Sequence, residues 1–278
     1  MGNLSILSRY SKLNKALRAF SVLCFFLLLT SCASIRGCNG CVTSSPPGTG
    51  DHWRHESFVK IEMEMILVPS HCGVVPFGYT CEDILSVLPI GNMSASGSGL
   101  VVESLSHSTY ILTADHVCRM SDTEIVEVRT PGGIAQVVMS QTTVLRTIDY
   151  YGNIRIAKFY SSDEENDVCL IRTRGTWGKP VPIAESLPEI GEKVYNVAAP
   201  LGVFSPGMVP MFEGSYSGHD SSQRHYYSLP ARPGSSGSAI INSRGEVIGV
   251  LHSAFRGLEH MAICSSLTSV RELMETIE

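Results

Sequence analysis

The sequence predicts an all-β protein, and three observations carry that expectation. Val59, Ile61, Met63 and Met65 alternate with Lys60, Glu62 and Glu64, the two-residue period of a half-buried strand. Short apolar runs then recur along the chain, with turn residues between them. A 3.6-residue apolar period occurs near the C-terminus only, where Leu267, Val270, Leu273, Met274 and Ile277 share one face. Many short strands with little helix mean a sandwich or a barrel.

The chain opens with an address. Arg9, Lys12, Lys15 and Arg18 stand in a segment without acids, and Val22 to Leu29 is apolar. At about 1.5 Å per residue that stretch is too short for a hydrocarbon core of about 30 Å. A basic stretch followed by a short apolar one reads as a secretory signal over residues 1–31. The run ends Leu29-Thr30-Ser31-Cys32, which resembles the lipobox of bacterial lipoproteins. That resemblance implies lipidation of Cys32 and a membrane anchor in the bacterial envelope, with Ala33 fitting outer-membrane sorting. Residues 32–56 include Ser44-Ser45-Pro46-Pro47-Gly48-Thr49-Gly50 and read as a flexible tether.

Strands are expected at Val59–Met65, Leu100–Val102, Tyr110–Leu112, Ile125–Val128, Ile154–Phe159, Val168–Ile171, Val194–Val197, Ala239–Ile241 and Val247–Leu251. Pro131-Gly132-Gly133 and Ser243-Arg244-Gly245 supply turns between them. The C-terminal helix is expected to use Ser269 and Glu272 as its capping box, a late start. Residues 57–278 suffice for one large core or two small packed ones.

Composition narrows the function. Hydrophobic residues make up 44% of the chain and charged residues 17%, so it forms a core. A net charge of -5 argues against a nucleic-acid partner held by bulk charge.

Nine cysteines are present, of which Cys24 would leave with the signal. An exported chain permits disulfides. Cys72 and Cys81 flank a loop with Gly73, Pro76 and Gly78, and a local bridge is expected there. A zinc site from Cys38, Cys41, Cys72 and Cys81 is the alternative, weakened because its first pair lies in the tether. Cys118, Cys169 and Cys264 read as buried core thiols.

Three local patterns appear in the order His, Asp, Ser. Thr113-Ala114-Asp115-His116-Val117 ends a strand, Asn166-Asp167-Val168 opens one, and Pro233-Gly234-Ser235-Ser236-Gly237-Ser238 forms a tight turn before another. Each alone has an ordinary reading as a polar or turn segment. Together they resemble the chymotrypsin-fold serine peptidases, nearest to the bacterial HtrA-like group. Gly97-Ser98-Gly99-Leu100-Val101-Val102, Ala198-Ala199-Pro200-Leu201-Gly202, Val247-Ile248-Gly249-Val250 and Met261-Ala262-Ile263 extend the likeness over about 57–278. The resemblance implies two packed six-stranded Greek-key β-barrels, about 57–176 and 177–278, with a C-terminal helix. No PDZ domain is expected after the peptidase domain.

The chemistry accounts for the residue types. A serine hydroxyl needs a base to take its proton during attack, and a histidine does that near neutral pH. The resemblance makes Ser236 the nucleophile, His116 the base and Asp167 the group that orients the imidazole. The backbone amides of Gly234 and Ser236 would bind the oxyanion. Only Ser236 has glycine two residues before and one residue after it, which separates it from Ser235 and Ser238. Asp149 and Asp163 are weaker candidates for the acid. The G-x-S-x-G elbow of α/β-hydrolases is absent.

Departures from the family are few. Ser235 stands where Asp or Asn is usual, Cys264 where proline is common, and no cysteine in the opening strand faces Cys118. The Cys72–Cys81 segment reads as an insertion between the first two strands.

The pocket for the residue before the scissile bond should involve Leu229–Arg232 and Val250–Ala254, with Ala231, Arg232, His252 and Ala254 on its wall. The absence of an acid there argues against a Lys or Arg preference, and the two alanines fit a small-to-medium apolar side chain. His252 or His260 would instead favour an acidic one, as a histidine does in glutamyl endopeptidases. His252 is offset by one position from that pattern, which turns its side chain over in a strand and favours a place beside Asp167. The expected partner is a polypeptide substrate, and no metal or organic cofactor is implied. The rival expectation is a binding module that keeps the peptidase fold and is silent or activated by a partner.

Overall fold

The computed structural model describes residues 55–119, 122–255 and 257–277. The signal segment, Cys32 and nearly all of the tether lie outside the described residues.

Thirteen strands and three α-helices make up the described chain. The first seven strands are β1 (Phe58–Val74), β2 (Gly91–Leu105), β3 (Ser108–Thr113), β4 (Thr123–Thr130), β5 (Gly133–Asp149), β6 (Ile154–Asp163) and β7 (Val168–Arg174). They pair in the order β1-β2-β3-β7-β6-β5-β4, and a further β1–β5 ladder closes the sheet. The result is a six-stranded antiparallel ring with β4 hung on its outside. The remaining strands are β8 (Lys193–Val197), β9 (Met211–His219), β10 (His225–Tyr227), β11 (Ala239–Asn242), β12 (Val247–Phe255) and β13 (Leu258–Cys264). These close a second six-stranded barrel, β10-β13-β12-β11-β8-β9.

With β4 left out, both rings have the same order, first-second-third-sixth-fifth-fourth. The fold is therefore two antiparallel barrels of one topology, and β4 is an addition to the first. Full closure removes sheet edges; the outer edge of β4 is the one exception in the first sheet.

Alternation builds the first core. In β7 the pattern Val168, Cys169, Leu170, Ile171 and Thr173 buried with Arg172 and Arg174 exposed gives a strand covered on both faces at its start and on one face at its end. Val59, Ile61, Leu100, Ile111, Leu112, Leu170 and Ile171 belong to this core, which covers both faces of β3 and of the start of β7. Tyr227, Leu229, Ile240, Ile248 and Leu251 fill the second. Burying each such side chain contributes roughly 1.5–3 kcal/mol.

Helix α3 (Leu267–Met274) joins the two cores, because Leu267 packs in the second while Val270 and Leu273 pack in the first. A helix of 8 residues does not stand alone in water, so this packing holds it. Its cap differs from the sequence expectation. Ser266 is the N-cap and its Oγ accepts from the Ser269 amide at 3.0 Å. Ser269 is instead in the first turn, where its hydroxyl pairs with that of Ser266.

Strands β1 and β5 run 17 residues each and project past the ring. The projection carries β4 and helix α1 (Cys81–Val87), with a small core of Leu67, Ile84, Ala135, Val137 and Met139. Thr80 caps α1 in a capping box with Asp83. Cys72 and Cys81 are disulfide-bonded, so neither offers a thiolate to a metal.

Candidate active site

His116 sits on α2 (Asp115–Cys118), a single turn that follows β3. Thr113, the last residue of β3, pairs with Cys169 near the start of β7. That register brings the turn beside Asp167, the residue just before β7. The His116 amide donates to Asp167 Oδ1 at 3.0 Å, and the ring Nδ1 lies 2.8 Å from Oδ2 and 3.0 Å from Oδ1. One carboxylate thus holds both the backbone and the ring of His116. With Nδ1 taken up as a donor, Nε2 is the ring nitrogen left with a lone pair.

Asp167 has a φ of 51°, a left-handed conformation that aspartate tolerates better than most residues. Burial is the largest influence on its carboxyl and pushes the pKa up. The ring and backbone hydrogen bonds from His116, with the nearby His116 and His252 charges, outweigh it and hold the pKa below the usual carboxylate value. The acid is ionised wherever the site operates near neutral pH.

His252 comes from β12 and places Nδ1 3.8 Å from Asp167 Oδ2. Burial pushes its own pKa down, partly offset by Asp167. This histidine stands behind the His116–Asp167 pair.

The alternative acids are occupied elsewhere. Asp149 binds Arg155 at 2.8 Å and accepts from Asn153. Asp163 accepts from the amide and side chain of Asn166.

The three serines of the glycine turn are separated by burial. Ser235 is 1% exposed and Ser238 0%, and the Ser238 hydroxyl accepts from Asn196 Nδ2 at 2.7 Å. Only Ser236 is partly exposed. Its loop abuts the turn that carries His116. The Ser236 carbonyl accepts from the Ser98 amide at 2.8 Å. A Cβ at Gly237 would overlap Thr113 Oγ1 and the Ser98 carbonyl, and one at Gly97 would stand 2.7 Å from Val117 Cγ1 and 3.1 Å from the Ser236 carbonyl. Strands β2 and β3, the α2 turn and the serine loop therefore meet here at distances that only glycine permits at positions 97 and 237.

The same holds on the oxyanion side. Gly234 has a φ of 91°, and a Cβ there would stand 2.5 Å from the Ala199 carbonyl and 3.1 Å from the Leu201 amide. The Pro233 carbonyl accepts from the Leu201 amide at 2.6 Å. A trans peptide points its C=O and N–H in opposite directions, so the Gly234 N–H is turned away from Leu201. Neither that amide nor the Ser236 amide has a protein acceptor among the described residues.

The residues expected on the pocket wall lie on two neighbouring stretches of the second barrel. Ala231 is buried, and its amide donates to the Glu259 carbonyl at 2.9 Å. Ala254 on β12 pairs with Ala262 on β13. Arg232 and Glu259 form an ion pair across the two walls. The sequence reading missed Glu259, which the strand pairing brings opposite Ala231.

Cys118 and Cys169 are joined by a disulfide. This corrects the expectation of two core thiols; only Cys264 is a free buried cysteine among the described residues. Cys118 lies two residues after His116 and Cys169 two after Asp167, so the bond ties α2 to β7 beside the pair. Those equal offsets were the available signal: if His116 touches Asp167, the residues just beyond can touch too. The bond spans 51 residues, and loop entropy alone gives it about 4 kcal/mol. The double substitution Cys118→Ala/Cys169→Ala is expected to lower the urea midpoint and to raise the m-value, because the unfolded chain without its cross-link exposes more surface. An unchanged midpoint would show that the bond adds nothing to stability.

Two closed barrels of one topology, with a His–Asp pair and a glycine-bounded serine at one site, define a chymotrypsin-type architecture. Residues 97–250, more than half of the chain, match the trypsin-like peptidase domain model, and the chain belongs to that family. The fold is similar to the serine endoprotease from Yersinia pestis, with a TM-score of 0.53 and 18% identity over 80% of this chain. This chain covers 62% of that structure's chain. It is also 27% identical over 184 residues to the uncharacterized protein y4bJ of Sinorhizobium fredii. That match takes in 64% of this chain and only 25% of the relative.

Proposed function

We propose that this protein is a serine endopeptidase that cleaves polypeptides through an acyl-enzyme. The observation that carries the proposal is the grip of Asp167 on both the amide and Nδ1 of His116, beside a loop in which Ser236 alone of three serines is accessible. Ser236 Oγ attacks the scissile carbonyl carbon as its proton passes to His116 Nε2. The Gly234 and Ser236 amides bind the oxygen that becomes negative. Collapse expels the amine, which takes the proton back from His116. Water then attacks the ester, again giving a proton to His116, and the acid leaves as Ser236 recovers its hydrogen. Asp167 stabilises the imidazolium in both halves.

The alanines expected on the pocket wall, Ala231 and Ala254, favour small or medium apolar side chains before the scissile bond, and Glu259, whose carbonyl accepts from the Ala231 amide, has its carboxylate paired with Arg232. Digestion of an unfolded protein, with the new termini mapped by mass spectrometry, tests this. Cuts should fall after Ala, Val or similar residues, and Ala254→Leu should suppress the larger of these by about tenfold or more. Cuts concentrated after Lys, Arg or Glu would contradict the pocket reading.

The basic N-terminus, short apolar stretch and Leu29-Thr30-Ser31-Cys32 support a lipid anchor on Cys32, with the peptidase domain tethered in the bacterial cell envelope. A clickable fatty-acid label is expected on the wild type and absent from Cys32→Ser. Equal labelling of the two, or none in the wild type, would exclude the anchor on Cys32.

A further inference from the structure

A cavity of about 830 Å³ opens on the outside of the first barrel, lined in part by His107, Arg155, Lys158, Arg172 and Arg174. The peptidase chemistry does not use it. Arg172 and Arg174 stand at the end of β7 away from Asp167, five and seven residues further along, or roughly 16–23 Å at strand rise.

Its charges are arranged against their own repulsion. Lys158 on β6 lies directly opposite Arg172 on β7, and Arg174 is two residues on, facing the same way. Like charges placed opposite one another across strands disfavour the fold. The chain has 26 acids against 21 bases, yet no carboxylate among the described residues pairs with Lys158, Arg172 or Arg174. The surroundings hold two of the guanidinium groups in place. Arg155 is bound to Asp149 at 2.8 Å and lies 4.2 Å over the Trp177 ring, while Arg172 lies 5.7 Å over Tyr160. Guanidinium groups ordered in advance lose less freedom when they take up an anion.

We propose that this cavity binds an anion carrying two or more phosphate groups. Three uncompensated cations in one concavity match a dense multiple charge better than a lone carboxylate, and the volume lies in the range of small-ligand sites. Arg172 and Arg174 supply planar forks for phosphate oxygens, and Lys158 a point charge. A soluble oligophosphate and a phospholipid headgroup share this chemistry.

The test titrates the full chain with inorganic tripolyphosphate by calorimetry, for the wild type and for Lys158→Ala, Arg174→Ala and Arg244→Ala. Arg244 is an exposed arginine already paired with Glu246 and serves as the control. In parallel, flotation compares the same proteins on cardiolipin vesicles, whose headgroup carries two phosphates, and on phosphatidylcholine vesicles, so that an N-terminal anchor contributes equally to all. Saturable tripolyphosphate binding, weakened about tenfold or more by Lys158→Ala and by Arg174→Ala but not by Arg244→Ala, supports the site and a soluble ligand. The same pattern seen only as extra retention on cardiolipin supports the site and a headgroup. The two cavity variants should fold with unchanged or raised thermal midpoints, because each relieves repulsion. If neither arm separates the cavity variants from wild type and control, the proposal is wrong.

Discussion

Ser236→Ala is expected to lower kcat/KM by roughly 10⁴-fold or more, with thermal stability unchanged. The hydroxyl is the atom that becomes the ester oxygen, so nothing else at the site can replace it. The loop does not need it for its shape. That shape comes from the Ser236 carbonyl bonded to the Ser98 amide, from Gly234 against Ala199 and Leu201, and from Gly237 against Thr113. Substrate binding should survive for the same reason, and the loss should appear in kcat. Ser238→Ala makes the contrast. That hydroxyl is buried and engaged with Asn196, and its loss should reduce stability by about 1 kcal/mol while the enzyme stays active. Steady-state kinetics on a peptide substrate, with thermal melts of both variants, separate the two serines. Equal activity in Ser236→Ala and wild type would remove Ser236 from the mechanism.

Asp167→Asn should lower kcat by about 10⁴-fold, and for a different reason. The carboxylate accepts from both the His116 amide and Nδ1. An asparagine amide turns a donor toward Nδ1, which favours the tautomer with its proton on Nε2. The ring then lacks the lone pair that should take the serine proton. Asparagine tolerates the φ of 51° at this position, so the backbone has no reason to rearrange. The variant should therefore melt near the wild type while losing most of its turnover. A kcat within tenfold of wild type would mean that another group orients His116, and His252, 3.8 Å from the same carboxylate, would be the first to examine.

The fold class was readable because alternation is local. Val59 to Met65 shows its period without help from any other part of the chain, and it became part of β1. Strand β5 was not readable in the same way. Gln136, Ser140, Gln141, Thr142 and Thr143 break up its apolar residues, and only its pairing with β1, β4 and β6 makes it a strand. Strands β9 and β10 are hidden by Gly214, Gly218 and a run of polar residues. Gly214 is required there because a Cβ would overlap the Ser228 carbonyl, a contact invisible in the linear chain. Helix α1 does carry a local signal, Thr80 followed by Asp83 as a capping box. In α3, Ser269 and Glu272 have the spacing of a capping box, but Ser266, one residue before the helix, takes the cap because Ser269 is already in the first turn.

The site divides along the same line. The histidine, aspartate and serine segments each carry their pattern within five or six residues, so they could be singled out in sequence. Partners brought by distant strands were harder to find. The place of His252 beside Asp167 followed from the strand offset and holds at 3.8 Å, and the Cys118–Cys169 bond left only its equal offsets from His116 and Asp167 as a signal, while the Arg232–Glu259 pair depends on the ring order, which no spacing rule fixes in advance.

Labelling with a fluorophosphonate probe tests the central claim most directly. The probe reacts with a serine only where a base and an oxyanion site activate it together. Mass spectrometry of the labelled protein should find the adduct on Ser236, absent from the His116→Ala variant and retained in Ser238→Ala. A folded wild-type protein that takes up no probe, or takes it up on another serine, would contradict the assignment of this site.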